Sequence, residues 1–169
     1  MPFTPFHFGP SALIALPLNR YLDIPSFVLV NVVVDIEPLI VMLNNLSYPV
    51  HGYAHTFLGA TLVGIGCGGI LNIFKKPLAS IMTKGFRLNY QSTFIKFIIS
   101  GILGAWFHVL LDAPLYSDIK PFYPILTKPL YGSISQKIMY EYCLISFFSA
   151  LLLYAVIIFW RRKRIKWDV

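Results

Sequence analysis

Residues 94–115 read FIKFIISGILGAWFHVLLDAPL, and this stretch decides the fold class of the chain. It is long and apolar enough to cross a membrane as an α-helix, which takes about 20 residues. Its far end carries His108 and Asp112, although an ionisable side chain in hydrocarbon is costly unless it is paired, hydrated or bound to an ion. The stretch therefore predicts a membrane-spanning helix with a polar site at one end.

The composition of the whole chain agrees with a membrane protein. Of its 169 residues, 57% are hydrophobic and 12% are charged, and the mean hydropathy is +0.69. Soluble domains carry about 25% charged residues. We therefore predict an all-α integral membrane helical bundle in which residues 1–169 form a single membrane domain.

Other apolar segments add further crossings. Residues 56–74 and 142–160 are uninterrupted, whereas residues 25–43 contain Asp35 and Glu37, with Pro38 directly after them. The apolar segment 8–18 is short and includes two prolines, so it is either a short span or a re-entrant piece. The prediction is about five transmembrane helices, the first of them short or re-entrant.

The basic residues predict the orientation of the bundle. The run RRKR at residues 161–164 directly follows the last apolar segment, and four more basic residues lie in the loop 75–91. Because cytoplasmic flanks are enriched in Lys and Arg, residues 161–169 are predicted to be a basic cytoplasmic tail, with the N-terminus outside. The same placement explains the net charge of +7 as a topology signal, so nucleic acid is not an expected partner.

Small residues four positions apart predict where two helices touch. Gly64 and Gly68 lie in one apolar segment, and Gly101 and Ala105 lie in another. Such pairs let helix backbones approach closely in a membrane. We expect these two segments to pack directly against each other.

The predicted topology brings the ionisable residues of the apolar segments to one level. They fall at the extracytoplasmic ends of the predicted helices: His7; Asp35 and Glu37; His51 and His55; His108 and Asp112. No lysine or arginine lies within these motifs, so a divalent cation is the simplest partner for the carboxylates. The sequence therefore predicts a metal site near the extracytoplasmic surface.

The spacing within two of the motifs favours shared ligand faces. His51 and His55 are four residues apart, as are His108 and Asp112, and on a helix such pairs point the same way. Plainer interpretations stay open: His51 and His55 could simply be interfacial histidines, and His108 could be a buried histidine bonded to a carbonyl. Zinc is the first choice of metal and manganese the second, as one or two ions. The predicted metal ligands are His7, Asp35, His51, His55, His108 and Asp112.

Asp35 and Glu37 are the predicted catalytic residues. Two positions apart, they do not share a helical face, but Pro38 is expected to break the helix and let both face a cavity. One carboxylate could then bind the metal while the other accepts a proton from water. Which of the two is the general base stays open, and an ion pair is the plainer alternative.

In their order these motifs resemble those of a bacterial inner-membrane family, the YdjM-like, LexA-regulated, predicted membrane-bound metal-dependent hydrolases. The matching pieces lie within residues 1–125: His7, DIEP at 35–38, HGYAH at 51–55 and HVLLD at 108–112. Glu37 stands in place of a second Asp. The resemblance implies a metal-dependent hydrolase of four or five spans in the bacterial inner (cytoplasmic) membrane.

Two functions agree with such a site. The first is metal-dependent hydrolysis of a membrane lipid or lipid-linked substrate, with a phosphoester as first choice, at the extracytoplasmic face. The second is transport or binding of a divalent metal or of protons, because intramembrane His and Asp also mark ion pathways. The Pro- and aromatic-rich loop 116–137 is either a lid over the site or a plain surface loop. A homo-oligomer is left open.

Overall fold

Helices account for the regular structure of this chain. The computed structural model describes the backbone of residues 5–167 and the side chains of residues 6–161, and that range contains no β-strand. Short 3-10 turns lie at Pro5–His7 and Tyr53–His55, and a π-helical turn lies at Ile81–Gly85. The predicted all-α helical bundle is confirmed. In chain order the α-helices are α1 (Phe8–Ala15), α2 (Ile24–Val33), α3 (Ile36–Leu43), α4 (Phe57–Ile73), α5 (Lys75–Ser80), α6 (Phe94–Asp112) and α7 (Gln136–Trp167).

Three helical stretches of the described chain are long and apolar enough to cross a membrane. They are α2 with α3 (Ile24–Leu43), α6 (Phe94–Asp112) and most of α7 (Gln136–Arg161). A fourth is added if α4 and the helical turns after it, which are bent by 77°, count as one span. These helices indicate membrane association. The prediction was about five spans, and α1, with 8 residues, is too short to count by length.

The N-terminal segment nevertheless covers much of the depth of α6. At its start, Nδ1 of His7 lies 2.9 Å from Nδ1 of His108, and further along the chain the Asn19 carbonyl accepts a hydrogen bond from Lys96 Nζ at 2.6 Å. The segment therefore runs antiparallel to α6 between these two contacts. The helix ends at Ala15 and turns follow it, because Pro17 has no N–H to donate to a further helical turn. This short helix agrees with the prediction that residues 8–18 form a short or re-entrant piece.

The break between α2 and α3 lies beside the predicted catalytic carboxylates. Helix α2 ends at Val33 and α3 begins at Ile36, so the interruption comes just before Pro38. Pro38 has no N–H to donate to the Val34 carbonyl, and its ring would clash with that carbonyl in a regular helix. The helix is therefore broken near the expected point, and Asp35 lies in the gap.

Glycines hold α4 directly against α6. A Cβ atom added to Gly64 would lie 2.5 Å from the Cα atom of Ile102, and one added to Gly68 would lie 2.7 Å from the Phe97 carbonyl oxygen. No side chain fits between these backbones. The packing predicted from the spacing of small residues is confirmed.

Basic residues gather at the other end of the bundle from His108. Arg161 donates a hydrogen bond to the Arg87 carbonyl, and Lys96, near the start of α6, donates to the Gln91 carbonyl. Helix α7 continues to Trp167, so the predicted tail 161–169 extends this helix as far as it is described. Residues 168–169, and the side chains of residues 162–169, lie outside the described residues.

Candidate metal centre

Four buried side chains converge near the end of α6. Asp35, His55, His108 and Asp112 each offer one ligand atom, and these atoms all lie within 4.8 Å of one another. None of the four residues is more than 3% exposed. All four are among the ligands predicted from the sequence, and the fold brings them together from three separate parts of the chain.

Nε2 of His108 lies close to each of the other three ligand atoms. It is 3.2 Å from Nε2 of His55 and 3.5 Å from both Oδ1 of Asp35 and Oδ2 of Asp112. Ligand atoms on a tetrahedral zinc ion are about 3.3 Å apart, because each bond to the metal is about 2.0–2.1 Å long. The separations measured from His108 therefore fit side chains that share an ion.

Local structure explains why these side chains meet. Asp35 lies in the gap between α2 and α3, and His55 ends a 3-10 turn directly before α4. Thr56 fixes the start of α4, because its hydroxyl accepts a hydrogen bond from the Gly59 N–H at 2.9 Å. His108 and Asp112 are one turn apart on α6, so both point toward the same neighbours.

Glu37 lies behind His55. One of its carboxylate oxygens is 3.0 Å from Nδ1 of His55, and the carboxylate also accepts hydrogen bonds from the N–H groups of Gly52 and Ala54 and from the Tyr48 hydroxyl. A carboxylate on the far nitrogen of a ligating histidine fixes the tautomer and the ring orientation. The structure places Glu37 in this orienting position, outside the four convergent atoms. Its role as a general base stays a prediction.

His7 also lies behind the four convergent atoms. Its Nδ1 is 2.9 Å from Nδ1 of His108, and its Nε2 is 3.3 Å from Oδ1 of Asp112. Asp112 therefore contacts His108 through one oxygen and His7 through the other. This geometry suits His7 as an orienting partner of His108 and Asp112, and its ring would be available if a second ion were held beside Asp112.

His51 is paired with a carboxylate that the sequence analysis did not single out. Asp118 accepts a hydrogen bond from the His51 backbone N–H at 3.0 Å, and its other oxygen lies 3.0 Å from Nδ1 of His51. The His51 and His55 rings are 4.8 Å apart, although no α-helix contains either residue. The structure therefore brings His51 beside the centre but not into the set of four.

The protonation states of this pair follow from its surroundings. Burial lowers the pKa of His51, the nearby His55 lowers it further, and Asp118 only partly offsets these effects. Burial would raise the pKa of Asp118, but the hydrogen bond from the His51 backbone and the His51 ring outweigh it, so the pKa of Asp118 is lowered. At neutral pH the pair is a neutral imidazole that donates from Nδ1 to a carboxylate.

Asp118 belongs to the connection between α6 and α7, which packs over the site. The Pro121 carbonyl in this loop accepts a hydrogen bond from the Phe57 N–H at 2.8 Å, and the Tyr116 ring is 4.2 Å from the His51 ring. The available sequence signal was an acidic residue in an aromatic loop soon after Asp112. Spacing alone gives no reason to pair Asp118 with His51.

Two cavities flank residues 52–54. One is an open cleft of about 310 Å³ beside His51, and the other is a mainly apolar groove of about 410 Å³ between α2–α3 and α4. The cleft is lined by, among others, Tyr48, His51, Tyr53, Asp118, Lys120 and Tyr123. The groove is lined by, among others, Val33, Ile36, Glu37, Ile40, Gly66 and Ile70.

The donor set fits a divalent transition metal. Two imidazoles and two carboxylates are ligands that zinc and manganese accept, and the two carboxylate charges would balance the charge of one such ion. Burial of both carboxylates beside imidazoles is otherwise costly. The four side chains could therefore hold a metal ion, whose identity the donor atoms leave open.

Comparison with known proteins finds no match for this chain. No family model matches the chain, and neither a curated protein nor a solved structure is similar to it. Fold and site together define only the class of protein: an all-helical, membrane-associated protein with a buried candidate metal centre.

Proposed function

We propose that this protein is a membrane-embedded, metal-dependent hydrolase. The observation that carries the proposal is the convergence of Asp35, His55, His108 and Asp112 within 4.8 Å in a buried position. Catalytic zinc sites commonly use three protein ligands and leave a position for water. A set of four donors supplies three ligands and one further carboxylate.

The residues take distinct roles in this proposal. His55, His108 and Asp112 would hold the ion, because partners behind them already fix their side chains. A divalent ion in such a site lowers the pKa of bound water and stabilises negative charge on the substrate. Asp35 accepts the proton of the attacking water and returns it to the leaving oxygen. Glu37 orients His55 and does not itself take the proton.

The proposed substrate is held in the bilayer. The centre lies at the end of α6, a membrane-length helix, and the neighbouring surfaces of α4 and α6 carry exposed apolar side chains such as Leu58, Leu62 and Leu110. Such surfaces face hydrocarbon. A reactive bond at the polar–apolar boundary of a lipid, with a phosphoester as first choice, would lie at the depth of the centre.

We further propose that the centre faces the extracytoplasmic side of a bacterial inner membrane. Arg87, Lys96 and Arg161 lie at the opposite end of the bundle, which is the cytoplasmic end under the positive-inside rule. An alkaline phosphatase fused after residue 169 should be inactive, and green fluorescent protein fused there should fluoresce. The reverse pattern would contradict this orientation.

Transport of protons or metal ions is the second candidate. It is favoured by a line of fully buried polar residues that runs from the centre toward the basic end: Asn31, Ser26, Ser100 and Asp23. Most of their polar atoms are engaged in hydrogen bonds, such as Asn31 to the Gly104 carbonyl and Ser26 to the Phe97 carbonyl. This engagement makes hydrolysis the first choice, because a conducting path needs groups that can exchange partners.

The test is metal analysis and activity on one purified sample. Protein in detergent is expected to hold one or two zinc or manganese ions and to release phosphate from a panel of lipid phosphoesters. Asp112→Asn should lose both properties, whereas Glu141→Gln, an exposed carboxylate on α7, should keep both. Metal-free protein that stays metal-free after exposure to zinc and manganese would overturn the proposal. Ion flux in liposomes without hydrolysis would favour transport instead.

A further inference from the structure

The cleft beside His51 and the apolar groove lie on either side of one short segment. Gly52 and Tyr53 line the cleft, and Ala54 lines the groove. The Glu37 carboxylate lines the groove and accepts hydrogen bonds from the Gly52 N–H and the Tyr48 hydroxyl, so it belongs to the wall between the two cavities. Tyr48 and Gly52 both line the cleft. Both cavities are open at the surface and border adjacent residues of the chain, so one elongated molecule that crosses this wall could place a polar part in the cleft and an apolar part in the groove.

The cleft offers one positive charge, and His51 in its lining lies beside the metal centre. Lys120 is the one lysine or arginine among the described residues that line it. Asp118, the carboxylate of the same cleft, is engaged by both the backbone N–H and Nδ1 of His51. Lys120 is thus placed to meet an anionic oxygen, and three tyrosines complete a wall of the kind that is common at the membrane interface.

The groove offers space for a hydrocarbon chain. Its lining includes Val33, Ile36, Ile40 and Ile70, and it runs along α4 away from the metal centre. Gly66 forms part of its wall, and a Cβ atom added there would meet nothing within 4 Å. An apolar chain in this groove would replace bilayer lipid without burying any unpaired polar group.

We infer that the substrate is an amphiphile with an anionic phosphate head group, which Lys120 binds in the cleft, and with an acyl or similar chain that lies in the groove along Gly66. This inference rests on the proposed hydrolase function and gives that function a substrate class. Lys120 acts as a specificity-determining residue for the head group. The groove selects for chain length.

The proposed binding of the head group by Lys120 is tested by equilibrium binding of lipids to detergent-solubilised protein, measured by native mass spectrometry. Dipalmitoyl phosphatidic acid should bind about tenfold more weakly to Lys120→Gln, since a charge-assisted hydrogen bond is lost, and dipalmitoylglycerol should bind equally to both forms. Lys137→Gln, which removes an exposed charge near the start of α7, should bind like the wild type. Equal affinity of Lys120→Gln and wild type for phosphatidic acid would overturn the head-group role of Lys120.

The proposed position of the lipid chain in the groove is tested with two matched glycine variants. Gly66→Leu should weaken binding of dipalmitoyl phosphatidic acid about tenfold, because the new side chain occupies the groove, while dioctanoyl phosphatidic acid should be affected much less. Gly69→Leu is the control, since Gly69 on the same helix also has open space around its Cβ position but does not line the groove. Equal effects of the two variants, or no dependence on chain length, would overturn it.

Two further measurements separate this inference from the proposed function. Inorganic phosphate should not displace dipalmitoyl phosphatidic acid; displacement would assign the cleft to free phosphate and overturn the lipid assignment. Metal content should be unchanged in Lys120→Gln and Gly66→Leu. If wild-type protein lacks metal and activity but still shows Lys120-dependent lipid binding, the hydrolase proposal fails and the lipid site stands. If metal and hydrolysis are present without that dependence, the lipid site fails alone.

Discussion

At the residue scale, carboxylate–imidazole pairs govern the candidate centre. Three such pairs lie around the ligand atoms: Glu37 with His55, Asp112 with His7, and Asp118 with His51. Each carboxylate can fix one imidazole tautomer, although the other ring nitrogen of His7 already contacts His108. Glu37 lies outside the set of four, so a substitution there can act on metal binding without removing a ligand.

Glu37→Gln is expected to weaken metal binding about 10–100-fold, because the carboxylate that orients His55 loses its charge. The fold should persist, since the amide can keep some of the hydrogen bonds to residues 52–54. The measurement is zinc affinity by competition with a chelating dye. Glu141→Gln, whose side chain is 58% exposed, is the control. Unchanged zinc affinity in Glu37→Gln would remove the orienting role assigned here.

Asp23 is a buried carboxylate outside the centre, and its hydrogen bond with Tyr90 is expected to stabilise the fold. The Tyr90 hydroxyl donates to Asp23 Oδ2 at 2.5 Å, and Asp23 is fully buried. Tyr90→Phe is expected to lower the free energy of unfolding by about 1–3 kcal/mol, because a buried acceptor loses its donor. Tyr21→Phe, at a residue that is 71% exposed, should change it little. Chemical unfolding in detergent measures both, and equal stabilities would contradict the role of this bond.

At the scale of elements, the contact between α4 and α6 sets the distance from His55 to His108. His55 directly precedes α4, and His108 lies on α6. Their Nε2 atoms are 3.2 Å apart, a separation that depends on how closely the two helices approach. Close packing through glycine is therefore part of the geometry of the centre.

Gly64→Ala and Gly66→Ala form a matched pair on α4. A Cβ atom at position 64 is not accommodated, since it would lie 2.5 Å from the backbone of α6, whereas the space beside Gly66 is open. Gly64→Ala is expected to destabilise the protein by about 1–3 kcal/mol through overpacking and to reduce zinc affinity. Gly66→Ala should be neutral or slightly stabilising because of helix propensity. The readout is the thermal unfolding midpoint in detergent, and an unchanged midpoint in Gly64→Ala would refute the close contact.

At the scale of the whole molecule, metal binding is expected to be coupled to stability. Asp35 and Asp112 are buried within one small cluster, so without an ion their charges repel each other at low exposure to water. Removal of metal by dialysis against a chelator is expected to lower the unfolding midpoint. An ion present at 100 times its dissociation constant contributes about 2.7 kcal/mol.

The matched control for metal removal is the double variant His55→Ala with His108→Ala, whose midpoint should not respond to the chelator. Restoring zinc to dialysed wild-type protein should restore the midpoint. A wild-type midpoint that is the same before and after dialysis, with metal loss verified by elemental analysis, would show that the cluster is stable without an ion.

Much of the architecture follows from the sequence because lipid imposes simple rules. The length of the apolar segment ending in Asp112, the break at Pro38 and the small residues Gly64 and Gly68 each act locally or between neighbouring helices. The depth that the N-terminal segment covers was harder to foresee, because it depends on the contacts of His7 and Asn19 with α6 and not on helix length.

The sequence by itself determined the all-helical membrane class and the candidate ligands, because ionisable residues stand out in a chain where hydrocarbon penalises them. Only the tertiary structure decided how those residues divide. Four ligand atoms converge, whereas Glu37, His7 and His51 lie beside or behind them. The physical reason is that a ligand and its orienting partner have the same residue types, so only the directions and distances of their side chains distinguish them.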